Sequence, residues 1–237
     1  SSISSHAPRL TGIQGAWELM LDDSDACLRR LDEGVALSRQ TGDRMLVAFA
    51  LSARAWARGI VGHIPDARAE FEEAEHEAME CGALWLATDA KCGRGITAVV
   101  MGRFDETREL AESVLTADLR LTFPIFEELA IEALAAVALL EGRYADATAG
   151  FERAHSILEK HRLRDGWGWL LPMSRVEALC SLADAAGQDA VPDLVRRLKR
   201  ITPTFGRMDK LPLYVGCGEI ARGVVDARRG RGARALR

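Results

Sequence analysis

The chain has 237 residues, 48% of them apolar and 28% charged, and a net charge of −4. This is the composition of a folded protein with a sizeable core, not of a disordered one. No apolar run approaches the roughly 20 residues that a membrane helix needs, so no membrane partner is expected. The five cysteines (Cys27, Cys81, Cys92, Cys180, Cys217) form no CxxC or CxxH pair, which argues against a zinc site and a disulfide framework. A reducing cytoplasm is the expected location, with no metal and no cofactor.

Along the chain, the predicted elements come in pairs. The stretch "VGHIPDARAEFEEAEHEA" from Val61 is followed forty residues later by "MGRFDETRELAESVLTAD" and forty later again by "EGRYADATAGFERAHSIL". Gly62, Gly102 and Gly142 anchor the three copies, and Asp22 stands one period upstream. Stepping by forty, the position seven before the anchor reads Gly15, Ala55, Gly95, Ala135. Five after reads Cys27, Ala67, Thr107, Ala147. Nine after reads Leu31, Phe71, Ala111, Phe151, and twelve after reads Gly34, Ala74, Val114, Ala154.

Spacings of three and four residues place these positions on one face of a helix. The small residues before the anchor let two helices approach, and the large residue nine after it fills the gap between pairs. The anchor glycine suits a tight turn. A second glycine, Gly42 in "QTGDR" and Gly82 in "ECGAL", marks the end of the following helix. Each unit is therefore predicted as helix, turn, helix, loop. Since one pair cannot bury its own apolar face, the pairs must stack.

The pattern small–x6–Gly–x–[aromatic/Ile]–x2–Ala–x3–Phe–x2–Ala resembles the tetratricopeptide repeat (TPR). The period of about forty exceeds that family's own. Phrases such as "LSRQTGDRMLVAFALSARAWARG" are similar to the arrays of large ATP-dependent bacterial regulators of the LuxR and maltose-activator type. The fold class this implies is all-α, a right-handed superhelix (α-solenoid) of about five to six TPR-like repeats. One domain is expected over 1–237, regular over about 10–160 and irregular over 161–237. Gly187 is expected to anchor a fifth turn and Gly230 a sixth, after which the chain stops within a repeat. Together with the missing initiator Met, this leads us to expect a piece of a larger protein.

The resemblance further implies that the first helices line a concave face, at thirteen, ten and six residues before each anchor. These rows read Arg9, Phe49, Asp89, Leu129; Gly12, Ser52, Cys92, Glu132; and Ala16, Trp56, Ile96, Ala136. The candidate ligand-binding residues are accordingly Phe49, Ser52, Trp56, Asp89, Cys92, Ile96 and Glu132. Ser52, Asp89 and Glu132 would orient a ligand across an otherwise apolar surface. The competing reading makes Phe49, Trp56 and Ile96 inter-helix core, and Cys92 inert packing.

Two stretches break the period. "HRLRDGWGWLLP" at 161–172 puts Trp167 and Trp169 before a Pro172 that opens the next helix, where the pair plugs a repeat junction or forms an aromatic platform. "RITPTFGRMDKLP" at 200–212 reads as a long linker. The acidic run "EFEEAEHEAMEC" reads as a solvated outer face.

The sequence contains no GxxxxGK[ST], GxGxxG, HExxH or GxSxG motif, so no catalytic residues are assigned and the chain is expected not to be an enzyme. The leading expectation is a non-catalytic sensor or interaction module of a bacterial signalling or transcriptional regulator. Its partner would be a protein, a peptide or a small-molecule effector, and open array ends would favour a homodimer. The alternative is a free-standing adaptor for peptides or partner proteins. From Val191 onward, 12 Lys and Arg stand against 4 Asp and Glu, leaving −12 for the first 190 residues. Nucleic-acid binding through Arg222, Arg228, Arg229, Arg231 and Arg234 is the weakest of the readings, because a solvated basic face explains the same residues.

Overall fold

A computed structural model describes residues 23–118, 123–161 and 171–187, together with a few positions beyond. Among the described residues eight helices are present and no strand: α1 (Ser24–Thr41), α2 (Arg44–Ile60), α3 (Ile64–Glu80), α4 (Leu84–Val100), α5 (Phe104–Thr116), α6 (Pro124–Leu140), α7 (Tyr144–His161) and α8 (Leu171–Ala186). The predicted period is kept to the residue. Second helices begin at Ser24, Ile64, Phe104 and Tyr144, and first helices at Arg44, Leu84 and Pro124. The chain divides into two compact units, Ser1–Ala133 and Leu134–Arg237. The expectations for Trp167, Trp169, Gly230 and the 200–212 linker lie outside the described residues.

The turn chemistry explains why each helix stops where it does. Gly42, Gly62, Gly82, Gly102, Gly142 and Gly187 all have positive φ, a conformation that costs little only without a Cβ. At Gly102 the backbone closes in the Schellman manner: its N–H donates to the Val99 carbonyl at 3.0 Å and the Arg103 N–H to the Ala98 carbonyl at 2.8 Å. These bonds satisfy carbonyls that the helix end would leave unpaired. Gly62, Gly82 and Gly142 repeat the arrangement. At the other end, Asp43 caps α2 by accepting from the Leu46 N–H at 3.2 Å, a role a short carboxylate fills well.

Nothing lies within 4 Å of where a Cβ on Gly102 would stand, so substitution there acts through the backbone alone. Gly102→Ala is expected to lower stability by about 1–2 kcal/mol, and Gly102→Asn by less, because Asn tolerates left-handed backbone. Urea unfolding with an unchanged m-value would check this.

In the first unit α2 packs against α1 and α3, α3 against α4, and α4 against α5, while α2 also touches α4. The repeat rows are the core. Cys27, Ala67 and Thr107 are fully enclosed, as are Leu31, Phe71 and Ala111, and Gly34, Ala74 and Val114. Phe71 gathers Val35, Val47, Leu51, Ala55 and Ala74 around it and meets Trp56 edge to face, with ring centroids 5.1 Å apart. Leu31 shares a smaller cluster with Cys27, Ala57 and Ala53.

In the second unit α7 packs against α8, and Ala147, Phe151 and Ala154 of α7 are buried together with Ala135, Val137 and Ala138. A Cβ on Gly150 would stand 2.7 Å from the Ala135 Cβ, the close helix approach that the small-residue row predicted.

The acidic run on α3 is solvated at Glu72, Glu73, His76 and Glu80, as its composition suggested, but Glu70 departs from that face. Glu70 is buried and pairs with Arg54 at 2.6 Å and Arg58 at 2.7 Å, and Arg54 also reaches Asp32 on α1 at 2.8 Å. Glu75 pairs with Arg94 at 2.6 Å, and Arg68 joins Glu106 on α5 at 2.5 Å. The physical reason is that Arg54 and Arg94 stand one period apart in the rows facing the second helices. Each lies within reach of the carboxylates of neighbouring pairs, so charges that would otherwise be solvated are matched between repeats. Glu72, Glu73 and Glu80 remain exposed.

Candidate functional site

The first helices α2, α4 and α6 carry all seven candidate residues. The row ten before the anchor (Ser52, Cys92 and Glu132) is buried, whereas Phe49, Trp56, Asp89 and Ile96 are half-buried. Each member of the row bonds to a residue outside it: Ser52 to Asp89, Cys92 to the Phe126 carbonyl and Glu132 to Glu128.

The Ser52 hydroxyl on α2 donates to the Asp89 Oδ2 on α4. The Trp56 indole N–H, one helical turn from Ser52, donates to the same oxygen at 3.2 Å. Three candidates thus meet at one carboxylate. Burial holds the Asp89 carboxyl above the usual range, while the two donors pull it back down, the opposition expected of a desolvated but hydrogen-bonded acid.

Cys92 lies one turn further along α4. Its thiol reaches the Phe126 carbonyl of α6 at 4.0 Å. Burial first, then the nearby Asp89 and Glu128 carboxyls, push it well above the ordinary thiol range. A thiol so placed stays protonated and is a poor nucleophile, in line with the packing alternative for this residue.

Glu132 stands four residues after Glu128 on α6, and both side chains are enclosed, Glu128 completely. Neither carboxyl oxygen of Glu128 finds a hydrogen-bond partner in its present form. The neighbouring group is the Glu132 carboxyl, and a bond between two carboxyls requires a proton between them. Burial, followed by the charge and hydrogen bond of Glu132, raises Glu128 to about 9, and burial raises Glu132 to about 7. The pair therefore holds at least one proton at neutral pH, as two like charges in one dry site must.

Phe49 and Trp56 settle on core clusters. Phe49 packs against the group of Ala48, Ala78 and Leu86, and Trp56 against the Phe71 group. Each contributes apolar wall on one side and remains partly open on the other.

Sequence reasoning missed Glu128. Its row, fourteen before the anchor, reads Ala48, Thr88, Glu128, so the signal was a charge appearing where earlier copies place small residues. Trp85 and Phe123, half-exposed at the starts of α4 and α6, were also unread. Their rings stack at 6.5 Å, and Phe123 leans on Phe126 at 5.6 Å. Among the described residues no three His, Cys, Asp or Glu come together as a metal site, and no helix is long and apolar enough to cross a membrane.

Among solved structures, the chain is similar over 98% of its length to a Signal Transduction ATPase with Numerous Domains (STAND) protein with a tetratricopeptide repeat sensor from Pyrococcus horikoshii. The TM-score is 0.56 at 12% identity. The fold is tetratricopeptide-like.

The chain spans 35% of that ATPase's length. A tetratricopeptide repeat protein from Parabacteroides merdae matches with a TM-score of 0.49 at 11% identity, over 97% of this chain and 90% of that one. No protein-family profile matches the chain, and no curated protein does. Within the tetratricopeptide-like frame, Ser52, Trp56, Asp89, Cys92, Glu128 and Glu132 all sit on first helices; the bonds of Ser52 and Trp56 to Asp89 cross from one repeat to the next, and that of Glu128 to Glu132 stays within α6.

Proposed function

We propose that the chain is a non-catalytic binding module, the sensor or interaction part of a bacterial signalling or transcriptional regulator. In this reading it takes a protein segment or small effector on the concave face formed by its first helices. The observation that carries this is the meeting of Ser52, Trp56 and Asp89 at one carboxylate, beside the Glu128–Glu132 pair. Buried polar groups oppose folding unless matched, and this face holds several where the repeat needs only small and apolar residues. The tetratricopeptide fold hosts many partners, so the fold alone does not choose among them. The likeness to an array described as the sensor of a multidomain signal-transduction ATPase favours a sensor that reports to attached domains, of the kind found in LuxR and maltose-activator regulators. Because each repeat touches chiefly its neighbours, a ligand bridging two first helices would rotate one pair against the next, and such rotations add along an array.

The test is capture from an extract of the source cells on the immobilised chain. Trp56→Ala and Asp89→Asn variants of the inner face are compared with Glu73→Ala and Glu80→Ala variants of the exposed outer face. Retained partner or effector is expected to fall by roughly tenfold or more with the inner variants only, the loss of a central contact. Equal retention by the inner variants, or loss with the outer ones, would remove the inner face from the reading.

A further inference from the structure

We infer that the edge of the first unit where α2, α4 and α6 begin is a docking surface for a basic protein segment, one that carries bulky apolar side chains between lysines or arginines. This edge adjoins the inner face and is independent of the reading above.

Met45, Met79, Leu84, Trp85 and Phe123 stand open there. Met79 and Leu84 are each 53% exposed, and the other three 37–39%. The contacts beneath them fix their common place. Ala48 near the start of α2, Ala78 near the end of α3, and Ala83, Leu86 and Ala87 at the start of α4 form one buried cluster, with Phe49 packed on it. The Trp85 and Phe123 rings stack with centroids 6.5 Å and planes 26° apart, and Phe123 leans on the buried Phe126.

The repeat shows that this exposure is patterned. Seventeen before the anchor, the row reads Met45, Trp85, Ile125. It is apolar in all three copies, yet exposed in two and half-buried in the third. Core packing does not account for it, because the next row, Leu46, Leu86 and Phe126, is the one that turns inward. An apolar row held open across three successive first helices suits a ligand that runs from repeat to repeat, a length of chain and not a compact molecule. The stacked rings hold the shelf in shape before a ligand arrives, which lowers the cost of ordering it.

Charge selects the kind of chain. Arg44, at the start of α2, is shared by Glu80 at 3.4 Å and Glu77 at 3.6 Å on α3, so one base answers two acids. Arg39, in the last turn of α1, is held by Glu73 at 2.7 Å. Asp43, capping α2, and Glu127, in the first turn of α6, add to the acidic excess. The helix ends nearly cancel one another, because the starts of α2, α4 and α6 alternate with the ends of α1, α3 and α5. An acidic rim around an apolar shelf repels nucleic acid and acidic peptides, and it favours lysine or arginine beside the apolar anchors. A second copy of this chain, meeting the first through the same edge, would set acid against acid.

The experiment is fluorescence anisotropy of the full chain with three labelled peptides: KLGKLGKLGK, its glutamate counterpart ELGELGELGE, and its serine counterpart KSGKSGKSGK. The lysine–leucine peptide is expected to bind saturably with a Kd below about 200 µM at about 50 mM salt, and severalfold more weakly at about 300 mM. The other two peptides are expected not to bind. Affinity should fall roughly tenfold or more in W85S/F123S, the loss of a central contact. It should fall severalfold in M79K, which sets a base in the last turn of α3, where the helix end tolerates it. V100S, at the opposite end of α4, should bind the peptide unchanged. All these side chains are exposed, so the variants should fold, and circular dichroism checks this. The inference is overturned if the lysine–leucine peptide does not bind, if either counterpart binds as well, if W85S/F123S or M79K leaves affinity unchanged, or if V100S lowers it equally. A dimer in sedimentation velocity that W85S/F123S dissolves would assign the edge to a second copy and overturn it too.

Discussion

Raising the pH from about 5 to about 9 is expected to weaken this fold by several kcal/mol, and the double variant Glu128→Gln/Glu132→Gln is expected to remove most of that dependence. In the folded chain Glu132 keeps its proton to about pH 7 and Glu128 to about pH 9, against an ordinary value of 4.5. Between those limits the native state binds more protons than the unfolded chain, so the free energy of unfolding falls as pH rises. The stabilisation is complete below the ordinary value and is lost as pH climbs through the folded values. At about 1.4 kcal/mol for each tenfold change in proton activity, Glu132 alone accounts for on the order of 3 kcal/mol. Glu128 acts on the same side, as do Asp89 and Glu70, both raised chiefly by burial. Glu106 opposes them. Its pairing with Arg68 and the nearby charges of Arg94 and Arg103 outweigh its desolvation and hold its carboxyl low, so its contribution is lost on the acid side.

Stability should therefore peak at mildly acidic pH. Urea midpoints at about pH 5.5, 7 and 8.5, with a constant m-value, measure the slope. A flat or rising profile in the wild type would sink the protonated-pair account, and so would an unchanged slope in the double variant.

The repeat was legible in the sequence because it obeys one rule forty residues at a time. A small residue five after the anchor has nowhere to go but inward, so Cys27, Ala67, Thr107 and Ala147 are all fully buried. The turn glycines follow from backbone conformation alone, and all six have positive φ. What the sequence hid falls into two kinds. Partnerships between repeats, such as Arg54 with Asp32 and Glu70, join residues that no local pattern associates. Departures from a row, such as Glu128 after Ala48 and Thr88, vanish when copies are compared for what they share. The inner-face row at Ser52, Cys92 and Glu132 was placed on its helices by periodicity. Its enclosure was not legible, because that depends on which side chains bond across the helices, Ser52 to Asp89 above all. A departure from the rule is where a repeat protein spends its freedom from packing, which is why the polar cluster and not the regular core carries the functional proposal.

The contact between Phe71 and Gly93 is expected to reverse the sign of a substitution. Gly93 lies inside α4, where glycine is roughly 1 kcal/mol worse than alanine, so Gly93→Ala should stabilise by propensity alone. A Cβ there, however, would stand 2.2–2.5 Å from three atoms of the Phe71 ring. That ring is 1% exposed and held by Trp56 and by the residues of α1, α2 and α3, so it has little room to retreat. Gly93→Ala is expected to destabilise by about 1–3 kcal/mol through overpacking. Phe71→Ala alone should cost about 3–5 kcal/mol, the transfer of the ring plus the cavity it leaves. In the Phe71→Ala background the added methyl enters vacated space and the helix recovers its propensity, so Gly93→Ala should there be neutral or stabilising. The double-mutant cycle thus yields a coupling of 1 kcal/mol or more, well above what separated sites show. Equal effects of Gly93→Ala in both backgrounds would mean that the ring does not rest on this glycine. The same logic accounts for the pairing of sizes along the array. Phe71 meets a first helix at glycine, while the smaller Leu31 meets its neighbour at Ala53 and Ala57.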